Sequence, residues 1–390
     1  IVDECHHVSS VSFEQVLKQV NAHYVYGLTA TPIRKDGHQP IIFMQCGKIR
    51  YAADAKSQMD RQSFVRTLVP RFTSFRNISP DVKTYTQTIK SLSTDDVRNK
   101  LIIEDVKTVI EEGRTPIILT NLTSHVRIPT ELLQHHAMHV VSLVGADSTK
   151  EKRMAMEKLA NVPASESLVI VATGKYIGEG FDYPRLDTLF LVLPISWKGN
   201  IAQYAGRLHR DYEGKNEVRI YDYIDIRIPI CDSMYRKRLR GYASVGYGVP
   251  KPTDGNNVAK AELIYDGLTF SEPFHQDLLA AKYSIVISCQ KIKFKYTPRL
   301  LYLLRDLMTN GIKIVVWVKE QGFCENEIRE YGIEVQCDEN LSVQCAIIDK
   351  STVWYGNINL FGYNTEENNV LRIIDSSIAN ELLDIICERC

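Results

Sequence analysis

The sequence predicts an α/β fold built on parallel sheets, on three observations. Apolar runs of strand length alternate with segments of helical spacing through most of the 390 residues, the pattern of strand–helix–strand units. The first apolar run, Ile1-Val2, passes straight into Asp3-Glu4, and acids at the carboxyl ends of parallel strands lie where open α/β sheets take ligands. With 44% hydrophobic and 24% charged residues, the chain has the composition of a globular protein with core enough for two or three domains.

Taken in order, residues 1–60 read as the closing part of a first lobe: a strand ending at Asp3, a helix over 12–20, and strands over 24–28 and 41–44. Residues 61–95 are polar and weakly patterned, with Arg61, Arg66, Arg71 and Arg76 among Phe64, Phe72 and Phe75. Such interleaving suits single-stranded nucleic acid, but a connector between lobes is the reading adopted. Residues 96–240 read as a complete second lobe. A helix over 96–112 is stopped by Gly113, strands follow over 117–120, 140–144, 167–173, 189–192 and 218–223, and a charged helix covers 149–159. The run Tyr235-Arg236-Lys237-Arg238-Leu239-Arg240 is either a phosphate-contacting cluster or an exposed charged helix end. Gly- and Pro-containing residues 241–259 read as a linker. Residues 260–390 form a smaller α/β domain, with strands over 283–288, 312–318 and 345–349 and a helix over 299–310 stopped by Gly311.

Lys plus Arg and Asp plus Glu both number 47, so a nucleic-acid surface must be a local groove and not a global charge excess. No apolar run approaches the roughly 20 residues that cross a bilayer, and no signal peptide opens the sequence, so no membrane partner is expected. Nine cysteines without a secreted-type framework favour a reducing, cytoplasmic setting. Cys387-x-x-Cys390 has no second pair with which to close a four-ligand zinc site.

The chemistry concentrates in a few segments. Read as a helix, Gln203, Arg207 and Arg210 stand at i, i+4 and i+7 and share a face. Two fixed guanidiniums and an amide aimed one way suit the spreading charge of phosphoryl transfer. Asp3 and Glu4 supply the complement, one acid to hold Mg²⁺ and one to orient an attacking water. Gly178 and Gly180 let backbone approach a ligand, and Asp182 offers an acceptor to a ribose hydroxyl. Each has a plainer reading: a solvated strand end, an ordinary turn, a charged helix face. Their joint occurrence argues for a nucleotide-driven motor that uses Mg²⁺.

Asp3-Glu4-Cys5-His6 resembles the DExH motif of superfamily 2 helicases, and Gly27-Leu28-Thr29-Ala30-Thr31-Pro32 resembles their coupling motif. Residues Thr173 to Asp182 look like motif V, and Gln203 to Arg210 like motif VI, Q-x-x-G-R-x-x-R. The resemblance implies RecA-like lobes, the first one partial, and ATP as the nucleotide. It casts Asp3, Glu4, Arg207 and Arg210 as catalytic, and Gln203, Gly180 and Asp182 as nucleotide contacts. His6, Thr29, Thr31, Thr120 and Thr173 become coupling or nucleic-acid residues. The stretch Thr29 to Gly37 is similar to restriction-type and excision-repair-type translocases of bacterial conflict systems, which favours DNA as partner. No G-x-x-x-x-G-K-[ST] loop occurs, and without one nucleotide phosphates have no cradle. The expectation is the C-terminal part of a longer helicase or translocase, silent as an ATPase without its upstream part.

In the third domain, residues 342–349 and 353–359 resemble the phospholipase D-like nucleases, whose motif is H-x-K-x-x-x-x-D followed by G-S-x-N. Aligned on Asp349, this chain has Ser342 for the His and Gln344 for the Lys, and keeps Asp349, Gly356 and Asn359. The lost groups are the nucleophile and its cation, so the domain is expected to be inactive. With Lys291, Lys293, Lys295 and Arg299 it is read as a DNA-docking or homodimerising module, against a purely structural appendage. A working nuclease fused to the helicase and a non-enzymatic nucleic-acid-binding module remain the alternatives.

Overall fold

The computed structural model describes residues 1–3, 5, 8, 11–29, 39–51, 64–76, 84–145, 148–178, 181–195, 198–248, 264–292, 298–319, 328–329 and 332–387. The fold is α/β, in two compact units, Ile1–Gln62 and Ser63–Cys390.

In the first unit, Val2 and Gly27 form an isolated parallel bridge. Val2 N–H donates to Tyr26 O, Leu28 N–H to Val2 O and Cys5 N–H to Leu28 O, at 2.7, 2.8 and 2.9 Å. The strands expected over 1–3 and 24–28 amount to this bridge. Helix α1 (Val11–Gln19) matches its expectation, whereas the strand expected over 41–44 lies inside helix α2 (Gln39–Cys46). A short apolar run carries no period to separate strand from helix. Its burial is one-sided: Ile42 packs on Cys5 and Val8 while Met44 is exposed.

The second unit opens with β1 (Val65–Phe72), α3 (Tyr85–Thr94), α4 (Asp96–Glu111), β2 (Pro116–Thr120) and α5 (Thr123–Leu133). It continues through β3 (His139–Leu143), α6 (Thr149–Ala160), β4 (Leu168–Thr173), α7 (Gly174–Gly178), β5 (Thr188–Leu191), α8 (Lys198–Leu208), β6 (Glu217–Ile224) and α9 (Pro229–Ser244). Its sheet runs β1-β6-β5-β2-β4-β3, and every pair is parallel. Helix ends follow local chemistry: Ser148 and Glu151 form a capping box for α6, Asp95 caps α4, and Gly113 takes φ +76 after it.

Residues 65–72, expected in a connector, are instead an edge strand, paired along its length from Val65–Glu217 to Phe72–Ile224. An edge position tolerates Pro70 and the arginines that made the segment look like a linker. The expected linker 241–259 also begins too early. Helix α9 continues to Ser244, Tyr242 and Tyr247 are buried, and Gly248 bridges to Thr67.

The basic run on α9 serves packing. Arg238 is 1% exposed, with Nε and Nη2 each 2.8 Å from the Asp222 carboxylate. Arg236 lies 2.7 Å from the buried Asp232, and Arg240 pairs with Glu367 at 3.0 Å. Arg98 likewise grips Asp225 from α4, and Thr73 donates to the same carboxylate. Both acids stand at the carboxyl end of β6, so two buried ion pairs fasten α4 and α9 to it. Such pairs tolerate burial because each charge is also hydrogen-bonded.

A second, mixed sheet follows. Its elements are β7 (Ile264–Asp266), α10 (Ser271–Leu279), β8 (Ser284–Cys289), α11 (Pro298–Thr309), β9 (Lys313–Val318) and β10 (Glu334–Cys337), then β11 (Cys345–Ile348), β12 (Thr352–Gly356), β13 (Asn369–Ile374) and α12 (Ser376–Cys387). The order is β10-β9-β8-β11-β12-β13-β7. β8, β9 and β10 pair in parallel, and the remaining pairs are antiparallel. One hydrophobic cluster runs unbroken from Leu68, Ile170 and Ile220 of the first sheet to Ile347, Val353 and Leu371 of the second. Tyr355 is its hinge pin. The fully buried ring stacks on Tyr235, meets Phe72 edge-on, and donates its hydroxyl to Asp232.

Candidate functional site

The carboxyl edge of the parallel sheet brings two predicted residues together. β2 and β4 pair in register so that Thr120 stands beside Thr173, each the last residue of its strand. Both side chains turn inward, Thr120 at 1% and Thr173 at 6% exposure. Leu122 N–H donates to Thr120 Oγ1, which donates on to His125 Nδ1 at 3.1 Å. His125 Nε2 then donates to Asn99 Oδ1, and Asn99 Nδ2 to Ser93 O. The chain of donors fixes the imidazole as its neutral Nε2–H tautomer. Burial, with Arg98 adding to it, pulls His125 down to about 4. Thr173 Oγ1 accepts from Gly145 N–H at 2.9 Å. Neither hydroxyl faces solvent as expected for a direct nucleic-acid contact; the exposed groups at this edge are Asn121, Thr123 and Ser124.

Directly after Thr173, Gly174 fits under a neighbouring helix. A Cβ there would come within 2.5 Å of Tyr204 Oη and 3.4 Å of Asn121 Oδ1. A side chain here would crowd the Tyr204 hydroxyl of α8, a reason for glycine that the sequence did not offer.

A second group lies toward the amino ends of the strands. Gln203 and Arg207 stand one turn apart on α8, both partly buried. Arg210 does not share their helix as expected, because α8 ends at Leu208. Its Nε bonds Asp182 Oδ1 at 3.1 Å, an ion pair about half exposed on each side. Asp182 was expected as a ribose acceptor; here it is the partner of Arg210. His209 turns the opposite way, stacked on Tyr247 and tilted against Phe64. Burial pulls it down to about 3, Arg66 and Lys215 adding to the effect, so it is a neutral core residue. Lys215 donates to the carbonyl oxygens of Pro184, Leu208 and Arg210. Because Pro184 precedes β5 and Lys215 precedes β6 by a few residues, this cluster sits near the strands' amino ends. The motif V segment spans the distance, from Thr173 at one edge to Asp182 at the other.

In the first unit, the Val2–Gly27 bridge sets exposed Asp3 next to the Leu28–Thr29 segment. Glu4, His6, Thr31 and Gly180 lie outside the described residues, as do Lys293 and Lys295. Of the residues that carry this geometry, sequence reasoning missed His125, Asn99 and Lys215, which lie outside the motifs, and Tyr204, which lies inside motif VI at a position to which that motif gives no role.

The residues kept from the nuclease-like motif are engaged in the fold. Asp349, at φ 51, accepts from the N–H groups of Lys282, Tyr283 and Ser284 at 2.8, 2.8 and 2.9 Å. Burial works against its ionisation, but these donors outweigh it and hold the carboxyl below its ordinary range. A Cβ on Gly356 would lie 2.2 Å from Asn369 O across the β12–β13 pair. Asn359 is bonded within its own loop and to Lys291 O.

Comparison with known proteins finds similarity to a restriction-enzyme family and to viral proteins. The family described as "Type III restriction enzyme, res subunit" matches residues 1–34. The chain is 25% identical over 246 residues to "Transcript termination protein A18" of Fowlpox virus, covering 60% of this chain and 51% of that protein. It is 21% identical over 260 residues to "Putative ATP-dependent RNA helicase L396" of Acanthamoeba polyphaga mimivirus, covering 64% and 48%. The chain thus spans about half the length of these curated relatives. Among solved structures, T4 UvsW is similar at 19% identity and TM-score 0.35, over 67% of this chain and 47% of that one. Over these spans the chain is similar to a restriction-enzyme subunit family and to a protein named as a putative helicase. Among the described residues no helix is long and apolar enough to cross a membrane.

Proposed function

We propose that this chain carries the second motor lobe, and part of the first, of an ATP-dependent helicase or translocase acting on nucleic acid, with DNA as the substrate. The observation that carries the proposal is where the two ends of the motif V segment lie. The segment starts at the paired Thr120–Thr173 strand ends and finishes in the Asp182–Arg210 ion pair beside the helix bearing Gln203 and Arg207. A motor needs such a connection between a strand-contacting edge and a phosphate-sensing group.

The residues fit an anionic nucleotide. Arg210 is half exposed and paired, among the described residues, with a half-exposed carboxylate, so a polyphosphate can compete for it, and Asp3 is an exposed acid. ATP with Mg²⁺ would supply the phosphoryl chemistry. Asp3 would hold the metal, Glu4 would position water, and Arg207 with Arg210 would stabilise developing phosphate charge. Gln203, Gly180 and Asp182 would contact the nucleotide. His6, Thr29, Thr31, Thr120 and Thr173 would transmit its state, the two buried threonines by setting the turns that follow them.

The mixed sheet would be a non-catalytic, phospholipase D-like tail. Ser342 has no base among the described residues and Gln344 no charge, and the retained Asp349, Gly356 and Asn359 have structural work of their own.

The test is DNA-stimulated ATP turnover by the full-length protein beside Arg207→Ala. Turnover that the substitution abolishes supports the motor. Absence of turnover with DNA and with RNA sinks it and leaves a binding scaffold, whereas metal-independent DNA cleavage lost in Asn359→Ala would revive the nuclease.

A further inference from the structure

Lys215 lies in the turn between α8 and β6, outside every sequence motif. An ammonium has three N–H donors, and here three backbone carbonyl oxygens receive them: Pro184, Leu208 at 3.1 Å and Arg210 at 2.8 Å. The bond to Leu208 closes the end of α8, where the helix dipole favours a cation. The other two fall on the segments whose side chains meet, since Pro184 is two residues after Asp182 and the last acceptor is Arg210 itself. One side chain therefore ties together both backbones of the Asp182–Arg210 pair.

We propose that Lys215 is a positioning residue for Arg210: its ammonium fixes the guanidinium's backbone against the Asp182 turn, and without it the arginine loses its place at the phosphate. The inference rests on the motor reading of Arg210.

The clamp is titratable. Burial pulls Lys215 down to about 8, and Arg114 pulls the same way, while Asp187 and Asp211 pull it up. Arg114 is itself engaged with Asp187 and Glu217, at 3.5 and 3.0 Å. A neutral amine has two N–H donors and must release one carbonyl. The full clamp is thus present below about pH 8 and lost as pH rises through it.

In the full-length protein, Lys215→Met is expected to lower ATP turnover roughly 100-fold, the scale of misplacing a group by about 1 Å, with KM for ATP little changed. Wild-type turnover should fall above about pH 8, and Lys215→Arg, charged throughout, should give a lower rate without that fall. A wild-type rate flat through this range, or a Lys215→Met rate equal to wild type, overturns the proposal. A second measurement is independent of turnover and of how the Met variant folds. With ¹³C-labelled lysine, the wild-type chain should show one resonance titrating near 8 that is missing in Lys215→Arg. All lysines titrating at ordinary values would overturn the clamp even in an active motor. Absence of turnover in every variant beside a clear titration near 8 would instead sink the motor reading, and with it any positioning role, while leaving the clamp as a structural feature.

Discussion

Thr120 and Thr173 stand side by side in register at the carboxyl ends of adjacent parallel strands, and both hydroxyls are committed to the protein's own hydrogen bonds. Whatever reaches this edge meets the turns that the threonines anchor. The exposed side chains at this edge are Asn121, Thr123 and Ser124, and the threonines help to set the turns that carry them.

His125 and His209 make the fold acid-sensitive. Burial holds them neutral, at about 4 and about 3, whereas the unfolded chain takes up protons below its ordinary value of 6.5. Their contribution is whole above that value and is lost as pH falls toward 4. Each should cost about 2 kcal/mol of stability by pH 5. Urea unfolding at pH 7 and pH 5 measures the loss, and His125→Gln should reduce it.

The basic run on α9 separates packing from nucleic-acid binding. Arg238→Met leaves the buried Asp222 without its cation, and breaking such a pair costs about 3–5 kcal/mol. Lys237→Ala, at an exposed position, should change stability by less than about 0.5 kcal/mol. If the run bound phosphate, Lys237→Ala and Arg240→Ala would flatten the salt dependence of DNA binding; the packing role predicts an unchanged slope.

Gly174→Ala drives a methyl into Tyr204 Oη. Overpacking of this kind costs about 1–3 kcal/mol. Tyr204→Phe removes the oxygen it meets, so the double variant should recover most of the loss in thermal unfolding. Equal instability of the single and double variants would place the strain elsewhere.

Gly356→Ala has no such rescue, because its methyl would meet backbone of β13 at Asn369 and Val370. The expected result is loss of the mixed sheet, read as insoluble protein or a melting transition well below wild type. A stable Gly356→Ala chain would show that β12 and β13 can part.

Much of this was legible in the sequence. The strands of the parallel sheet are near-continuous apolar runs, Leu168–Thr173 being buried at every position, and Gly113 and Gly311 stop helices as their positive φ allows. Motif order singled out Asp182, Gln203, Arg207 and Arg210, of which Asp182 and Arg210 form an ion pair and Gln203 and Arg207 share a helix. What failed did so where tertiary context decides. β1 looked like a linker because an edge strand can carry arginines and a proline. Residues 235–240 looked like a charged surface because Asp222, the buried partner of Arg238, is sixteen residues away on β6, and nothing in the sequence shows that Asp232, one turn before Arg236, is buried. Arg210 lies beyond the end of α8 at Leu208, whose carbonyl oxygen accepts from Lys215. Paired side chains that meet only in three dimensions leave no periodic trace.

The core shared by the two sheets makes the tail an outrigger. With Tyr355 held between Tyr235, Phe72 and Asp232, and Arg227 bonded to Glu381 at 2.9 Å, α12 is tied to the parallel sheet. If the chain works as the proposed motor, a dye on Asn380, exposed on that helix, is expected to move with that sheet as a pointer and to report its motion without touching Gln203, Arg207 or Arg210.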